Sequence, residues 1–179
     1  MRLLSIDPSL RGTGFAILEE QGTAVRCLQY GVIQNPPKRN ISDSLLTIHD
    51  RLLTAISEYQ PEVVVLESII YVQSHSTAIV LGAARGVVLL LAAQHGIPIY
   101  EYPPRRVKQA VVGFGGAEKK QVAFMVRALL GLRETPPSDA ADAIAIGLTH
   151  LHTGSILVSK KRDSKKRGSW KNFIEQQIK

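Results

Sequence analysis

Four carboxylates carry the chemistry that this sequence can offer: Asp7, Glu67, Asp139 and Asp142. Asp7 ends the apolar run Leu3-Leu4-Ser5-Ile6 and opens a glycine-bearing turn, and Glu67 ends Val63-Val64-Val65-Leu66. Asp139 and Asp142 lie in Ser-Asp-Ala-Ala-Asp-Ala, at the start of a helical pattern. Each acid stands where a core element leaves the apolar interior, so a shared site is expected. Carboxylates brought together repel one another and raise each other's pKa unless a cation neutralises them. Oxygen-rich sites of this kind suit Mg²⁺ or Mn²⁺. The expected chemistry is metal-dependent phosphoryl transfer or phosphodiester cleavage.

The chain that must bring these acids together has 179 residues, enough for one domain with a proper core. Hydrophobic content of 45% and charged content of 21% describe a globular composition rather than a disordered one. The single cysteine, Cys27, excludes an intrachain disulfide and fits a reducing cytosol. The apolar start of the chain is too short for a signal peptide, and the longest apolar stretch, Val87 to Ala93, is far below a membrane span. A soluble cytoplasmic protein with no membrane partner is expected. The net charge of +7 is unevenly placed. From Ser159 onward eight basic residues face two acids, a net +6, so residues 1–158 are nearly neutral. A basic tail of this kind fits a polyanionic partner, most naturally nucleic acid, or else serves solubility. The expected division is one globular domain over residues 1–153 and a basic tail over 154–179, flexible or partly helical.

The elements follow from periodicity and turn chemistry. Arg2 to Asp7 reads as a buried strand, Pro8 to Gly14 as a turn, and Phe15 onward as a second strand. Gly12 and Gly14 read as turn glycines or as points of close approach to a phosphate. Val25 to Ile33 completes a meander. A helix capped by Ser42 or Asp43 reaches Tyr59, with Leu45, Ile48, Leu52 and Ile56 on its apolar face. Val63 to Glu67 is apolar on both faces, as in a parallel strand covered by helices. The next helix, from Ser76 or Thr77 to His95, is apolar nearly all round. It is expected to be central and buried, with Gly82 and Gly86 allowing close packing, and to offer a dimer face. Ile97 to Tyr102 is a further strand, followed by helices over 105–112 and 118–132. Ser138 caps a last helix reaching His152, with Asp139 and Asp142 on one face of its first turn, at the positive end of the helix dipole. If the first strand is central and the fourth lies beside it, Asp7 and Glu67 become neighbours about 4.8 Å apart, joined by an ordinary right-handed crossover. His150 and His152 could be proposed as metal ligands, but they lie two or more turns beyond Asp142 and are read instead as residues of a helix end, where a His is favourable.

In family order and spacing, four segments resemble the RuvC family of Holliday-junction resolvases. Ile6-Asp7-Pro8-Ser9-Leu10 with Gly12-Thr13-Gly14 is similar to its first motif, and Val65-Leu66-Glu67 to its second. Glu101 to Lys108 with Val112-Gly113 and Ala117-Glu118-Lys119 is similar to its basic third region, and Asp139 to Ala143 with Thr149-His150 to its fourth. The similarity covers roughly residues 1–153. It implies an α/β, ribonuclease H-like fold: a five-stranded mixed sheet, three antiparallel meander strands plus two parallel ones, flanked by helices. It also implies a homodimer that makes paired, symmetric, Mg²⁺-dependent nicks at four-way junction DNA in recombination and repair, with the RuvA–RuvB branch-migration complex as partner. By the same resemblance Asp7, Glu67, Asp139 and Asp142 take the catalytic, metal-binding roles. Lys108 and Lys119 match basic DNA-facing residues, and Arg105, Arg106 and Lys120 accompany them. Ile70, with Tyr71 next, occupies the place where family members carry a Phe wedge that stacks on junction bases.

Two divalent ions, with Mn²⁺ as a substitute for Mg²⁺, would activate water and stabilise the leaving 3′ oxygen, giving a 5′ phosphate and a 3′ hydroxyl. Asp7 is the expected bridging acid, and Lys119 or Lys108, with Lys120 as the alternative, would neutralise the scissile phosphate. Two rival readings stand beside this one. An actin-like phosphotransferase shares the Asp-bearing first hairpin but usually needs two such domains. A non-catalytic junction-binding protein would have no use for four clustered acids.

Overall fold

Alternation along two central strands decides the architecture. In the computed structural model, which describes residues 1–69 and 74–153, β1 (Arg2–Asp7) pairs antiparallel with β2 (Gly12–Gln21), and β2 with β3 (Ala24–Gln34). On its other side β1 pairs parallel with β4 (Val63–Glu67), and β4 with β5 (Ile99–Tyr102). The sheet order is therefore β3-β2-β1-β4-β5. The expected meander, the central place of β1 and its parallel neighbour are all present.

Successive side chains point to opposite faces of a sheet. Leu4, Ile6, Val64 and Leu66 face one layer, built by α1 (Ile41–Tyr59) and α2 (His75–Gln94). Leu3, Val63 and Val65 face the other, built by α3 (Pro104–Val112), α4 (Lys119–Leu130) and α5 (Ser138–Thr153). Both faces of β1 and β4 are thus covered, which is why these strands are apolar throughout.

α1 is capped two to three residues earlier than expected, by Asn40, whose side chain accepts from the Asp43 backbone N–H at 2.7 Å. Ser74 caps α2 in the same way, at 3.2 Å. Ser138 lies inside the first turn of α5 rather than capping it, and the Pro137 carbonyl accepts from Ala141 N–H.

α2 corrects an expectation. It is long and apolar enough to pass for a membrane span, yet it is not a central helix. Only Ala84, Val88, Leu91 and Ala92 are buried, and they pack on the sheet with Leu4 and Leu66. Its outer side leaves Ile79 73% and Leu90 56% exposed. A Cβ added at Gly82 or Gly86 would meet no atom among the described residues, so these glycines serve no close packing within the protomer.

Candidate active site

The period of two that fills the core also aims the acids. Leu3 and Ser5 on β1, and Val63 and Val65 on β4, point to the α5 layer, so Asp7 and Glu67, the next alternate residue on each strand, point there as well. The β1–β4 ladder runs to the Ile6–Leu66 pair, and the two acids sit one step beyond it.

α5 supplies the other two acids by lying unusually close to the sheet. A Cβ on Gly14 would fall 1.9 Å from the Asp139 carbonyl oxygen, and one on Gly12 would fall 2.7 Å from Asp139 Oδ2. A Cβ on Gly147, further along α5, would meet Leu18 and Ser5 side-chain atoms at 2.7 Å. The glycines of the first hairpin therefore admit the α5 N-terminus rather than serving only as turn residues. Gly14 pairs with Asp7 across the β1–β2 ladder, so the absence of one side chain places Asp139 beside Asp7.

As a result, one carboxylate oxygen each from Asp7, Asp139 and Asp142 lies within 4.8 Å of the others. Glu67 stands outside that trio but lines the same cavity of about 300 Å³ with Asp7, Asp142, Lys108 and Lys119. Lys119, the first residue of α4, donates to Asp142 Oδ2 at 2.7 Å. The start of α4 is fixed by Gln121, whose side chain accepts from Glu118 N–H at 2.8 Å.

The electrostatics record an incomplete neutralisation. Burial, aided by the charges of Asp142, Glu67 and Asp139, pushes the Asp7 carboxyl up to about 7, against the pull of Lys119. Burial and Asp142 also raise Glu67, while Lys119 and Lys108 oppose the rise. The bond to Asp142 raises Lys119 further above the ordinary lysine range. Lys119 and Lys108 thus only partly offset four clustered acids, and Asp7 stays well above the usual carboxylate range. All the donors are hard oxygens, with an acid that ionises fully only when more positive charge arrives. That set fits a divalent cation of the Mg²⁺ or Mn²⁺ type.

Of the basic residues expected to face a polyanion, Lys108 and Lys119 line the cavity. Arg105, Arg106 and Lys120 are exposed on α3 and α4 outside it. Ile70 and Tyr71 lie outside the described residues, as does the basic segment 154–179.

Two features correct or extend the sequence reading. His150 lies in the last turn of α5, as expected, but it faces the core rather than solvent. It is 2% exposed, its Nδ1 is 2.9 Å from the Tyr102 hydroxyl, and burial lowers its pKa. It is a neutral core imidazole packed against Tyr100 and Tyr102. Arg85 was not foreseen at all. Its guanidinium donates to the Glu67 carbonyl at 2.9 Å and pairs with Glu101 at 2.5 Å. With Asp7 and Glu67 it lines a second cavity, of about 260 Å³. The signal was available: apart from the histidine at its start, Arg85 is the one ionisable side chain of α2. A charge set in an apolar helix must find a partner, but the partner's identity depends on where β5 lies.

With this geometry in view, comparison with known proteins is informative. The family model for crossover junction endodeoxyribonuclease RuvC matches residues 3–150. The crossover junction endodeoxyribonuclease RuvC of Akkermansia muciniphila is 50% identical over 165 residues, which is 92% of this chain and 99% of that protein. The Thermus thermophilus RuvC structure in complex with a Holliday junction substrate superposes with a TM-score of 0.80 at 38% identity, covering 85% of this chain and 93% of that one. The yeast mitochondrial Holliday junction resolvase shares the fold alone, with a TM-score of 0.61 at 14% identity over 84% of this chain and 78% of that one.

Proposed function

Because the chain belongs to the RuvC family of crossover junction endodeoxyribonucleases, we propose that it resolves Holliday junctions by paired, symmetric nicks in strands of like polarity. The observation that carries this reading at the level of the site is the trio Asp7, Asp139 and Asp142, whose oxygens lie within 4.8 Å of one another, with Glu67 in the same cavity.

In this reading Asp7, Glu67, Asp139 and Asp142 hold divalent metal, Mg²⁺ in the first place and Mn²⁺ as a substitute. When bound, such ions supply the Lewis acidity that generates a nucleophilic water and stabilises the leaving 3′ oxygen. The protein's own residues do the rest. The half-buried Asp7 and Glu67 fix the site's position at the ends of β1 and β4. Lys119, which pairs with Asp142, would be the residue to meet the negative charge of the scissile phosphate. Lys108 lies in the same cavity and acts on the same negative charge. Arg105, Arg106 and Lys120 serve DNA further from the reacting bond, as phosphate contacts that position without reading sequence. Ile70 and Tyr71 are proposed as the wedge at the branch point.

Two symmetric cuts need two sites related by the junction's own two-fold axis. The dimer face proposed for this is the outer side of α2, where Ile79, Gly82, Gly86 and Leu90 recur at helical spacing and are exposed. Residues 1–153 form the nuclease unit in this scheme, and the basic segment 154–179 adds sequence-independent attraction to DNA. The RuvA–RuvB complex is the proposed partner and the cytoplasm the proposed location.

The test is nicking of a synthetic four-way junction against linear duplex of the same sequence, with and without Mg²⁺. Paired nicks on the junction, dependent on Mg²⁺ and weak or missing on duplex, are expected. Equal cutting of both substrates would make the protein a general nuclease.

A further inference from the structure

Arg85 reaches the acids from the wrong side of the sheet to be a ligand. It belongs to α2, whose buried residues pack with Leu4, Ile6, Val64 and Leu66, whereas Glu67 continues the Val63–Val65 series that faces α5. Its bond to Glu67 is therefore to the main-chain carbonyl. Its counter-charge, Glu101, pairs with Leu66 in the β4–β5 ladder and so shares the α2 face.

The mechanical need is plain from the ladders. β4 loses its β1 partner after Leu66, and beyond that point β5 holds it on one side only, through Ser68 N–H donating to the Tyr102 carbonyl at 2.8 Å. Glu67 thus stands on a strand end secured along one edge. The Arg85 side chain is only 11% exposed. It bridges that strand end at 2.9 Å and the carboxylate of the neighbouring strand at 2.5 Å. A guanidinium can serve two acceptors at once because its donors form a planar fork, whereas an ammonium is a single point charge.

We infer that Arg85 is a positioning residue for the metal site: by gripping the Glu67 carbonyl and Glu101 together, it fixes the end of β4 and the direction in which Glu67 presents its carboxylate. This rests on the reading that Glu67 serves the cation site. It also ties α2, and with it the proposed dimer face, to the acids by one buried side chain.

The test is Mn²⁺ binding to the full chain without DNA, followed by the electron paramagnetic resonance signal of free Mn²⁺, for wild type, Glu67→Gln, Arg85→Lys and Glu101→Gln. Junction binding in Ca²⁺ and thermal melting are measured beside it. Glu67→Gln weakens Mn²⁺ binding if the site reading holds. Arg85→Lys is expected to weaken it by about tenfold, the usual scale for a residue that orients a metal ligand, with junction affinity in Ca²⁺ unchanged. Glu101→Gln, which leaves Arg85 in place but loosens it, shifts Mn²⁺ affinity less and in the same direction, and serves alone if Arg85→Lys does not fold. Wild-type Mn²⁺ affinity in both folded variants, with Glu67→Gln impaired, overturns the role of Arg85 and leaves the site reading standing. Wild-type affinity in Glu67→Gln overturns both. Loss of junction affinity with a shallower salt dependence in Arg85→Lys, and no change in Mn²⁺ binding, makes Arg85 a DNA contact and overturns the inference.

Discussion

Replacing Gly14 by Ala should separate the placement of Asp139 from its chemistry. The new Cβ would lie 1.9 Å from the Asp139 carbonyl oxygen and 2.4 Å from its carbonyl carbon. Real Cβ contacts essentially never fall below 3.0 Å, so β2 and the α5 N-terminus must part by at least about 1.1 Å. The clash is with main chain, so no side-chain rotation relieves it. A shift of about 1 Å at a catalytic group costs on the order of a hundredfold in rate, or about 2.7 kcal/mol of activation free energy. Overpacking of this kind also costs roughly 1–3 kcal/mol of stability, a fall of about 2–4 °C in Tm per kcal/mol at this chain length. Single-turnover cleavage of a four-way junction at saturating Mg²⁺ measures the first effect and thermal melting the second. Junction binding in Ca²⁺ should be retained. Gly147→Ala is the internal comparison: its Cβ meets side-chain atoms, of Leu18 and Ser5 at 2.7 Å and of Leu3 at 3.1 Å, and it lies more than a turn beyond Asp142. It should lower Tm yet spare most of the cleavage rate. Wild-type cleavage by Gly14→Ala, or a larger loss of cleavage in Gly147→Ala, would refute the argument that backbone approach at Gly14 places the acid.

Other consequences concern charge and assembly. In the metal-free protein Asp7 holds its proton up to about pH 7, against 3.8 in an unstructured chain. The folded state therefore binds more protons than the unfolded one between these values, and this group's contribution to stability falls as pH rises through that window. Asp7→Asn should remove the penalty and raise the Tm of the metal-free protein at pH 8, by the equivalent of on the order of 2–4 kcal/mol; a lower Tm than wild type would contradict it. Added Mg²⁺ should stabilise wild type more at pH 8 than at pH 5.5, since the ion competes with that proton. Leu90→Arg places a charge on the exposed apolar stripe of α2, and sedimentation should show a monomer; an unchanged dimer would move the interface elsewhere. Removal of residues 159–179, which carry a net +6, should weaken junction binding and flatten its salt dependence. An unchanged slope would show that the tail takes no part.

Much of this was legible in the sequence because the signals were local. Short continuous apolar runs ending in Asp7 and Glu67 declared both strands. The close pair Asp139 and Asp142 declared a shared helix face. What stayed hidden depended on contacts between distant segments. The meaning of Gly12 and Gly14 lies in the side chain and backbone of Asp139 on α5, more than a hundred residues away, so turn chemistry was the nearest local explanation. α2 misled because an apolar helix looks the same whether its outer side meets core or another molecule; burial of Ala84, Val88 and Leu91 against exposure of Ile79 and Leu90 is settled by the position of the sheet. His150 carried no local sign that Tyr102 would sit against it. Arg85 did carry one, as a lone charge in an apolar helix, but its bonds to Glu67 and Glu101 exist only because α2 lies over the ends of β4 and β5.

The central claim is that acids remote in sequence converge to hold the cations that cut a junction. Nicking of a synthetic four-way junction by Asp7→Asn in Mg²⁺, with junction binding measured in Ca²⁺, tests it most directly. Binding like wild type with no detectable nicks is the predicted result; paired nicks at the wild-type rate would contradict it.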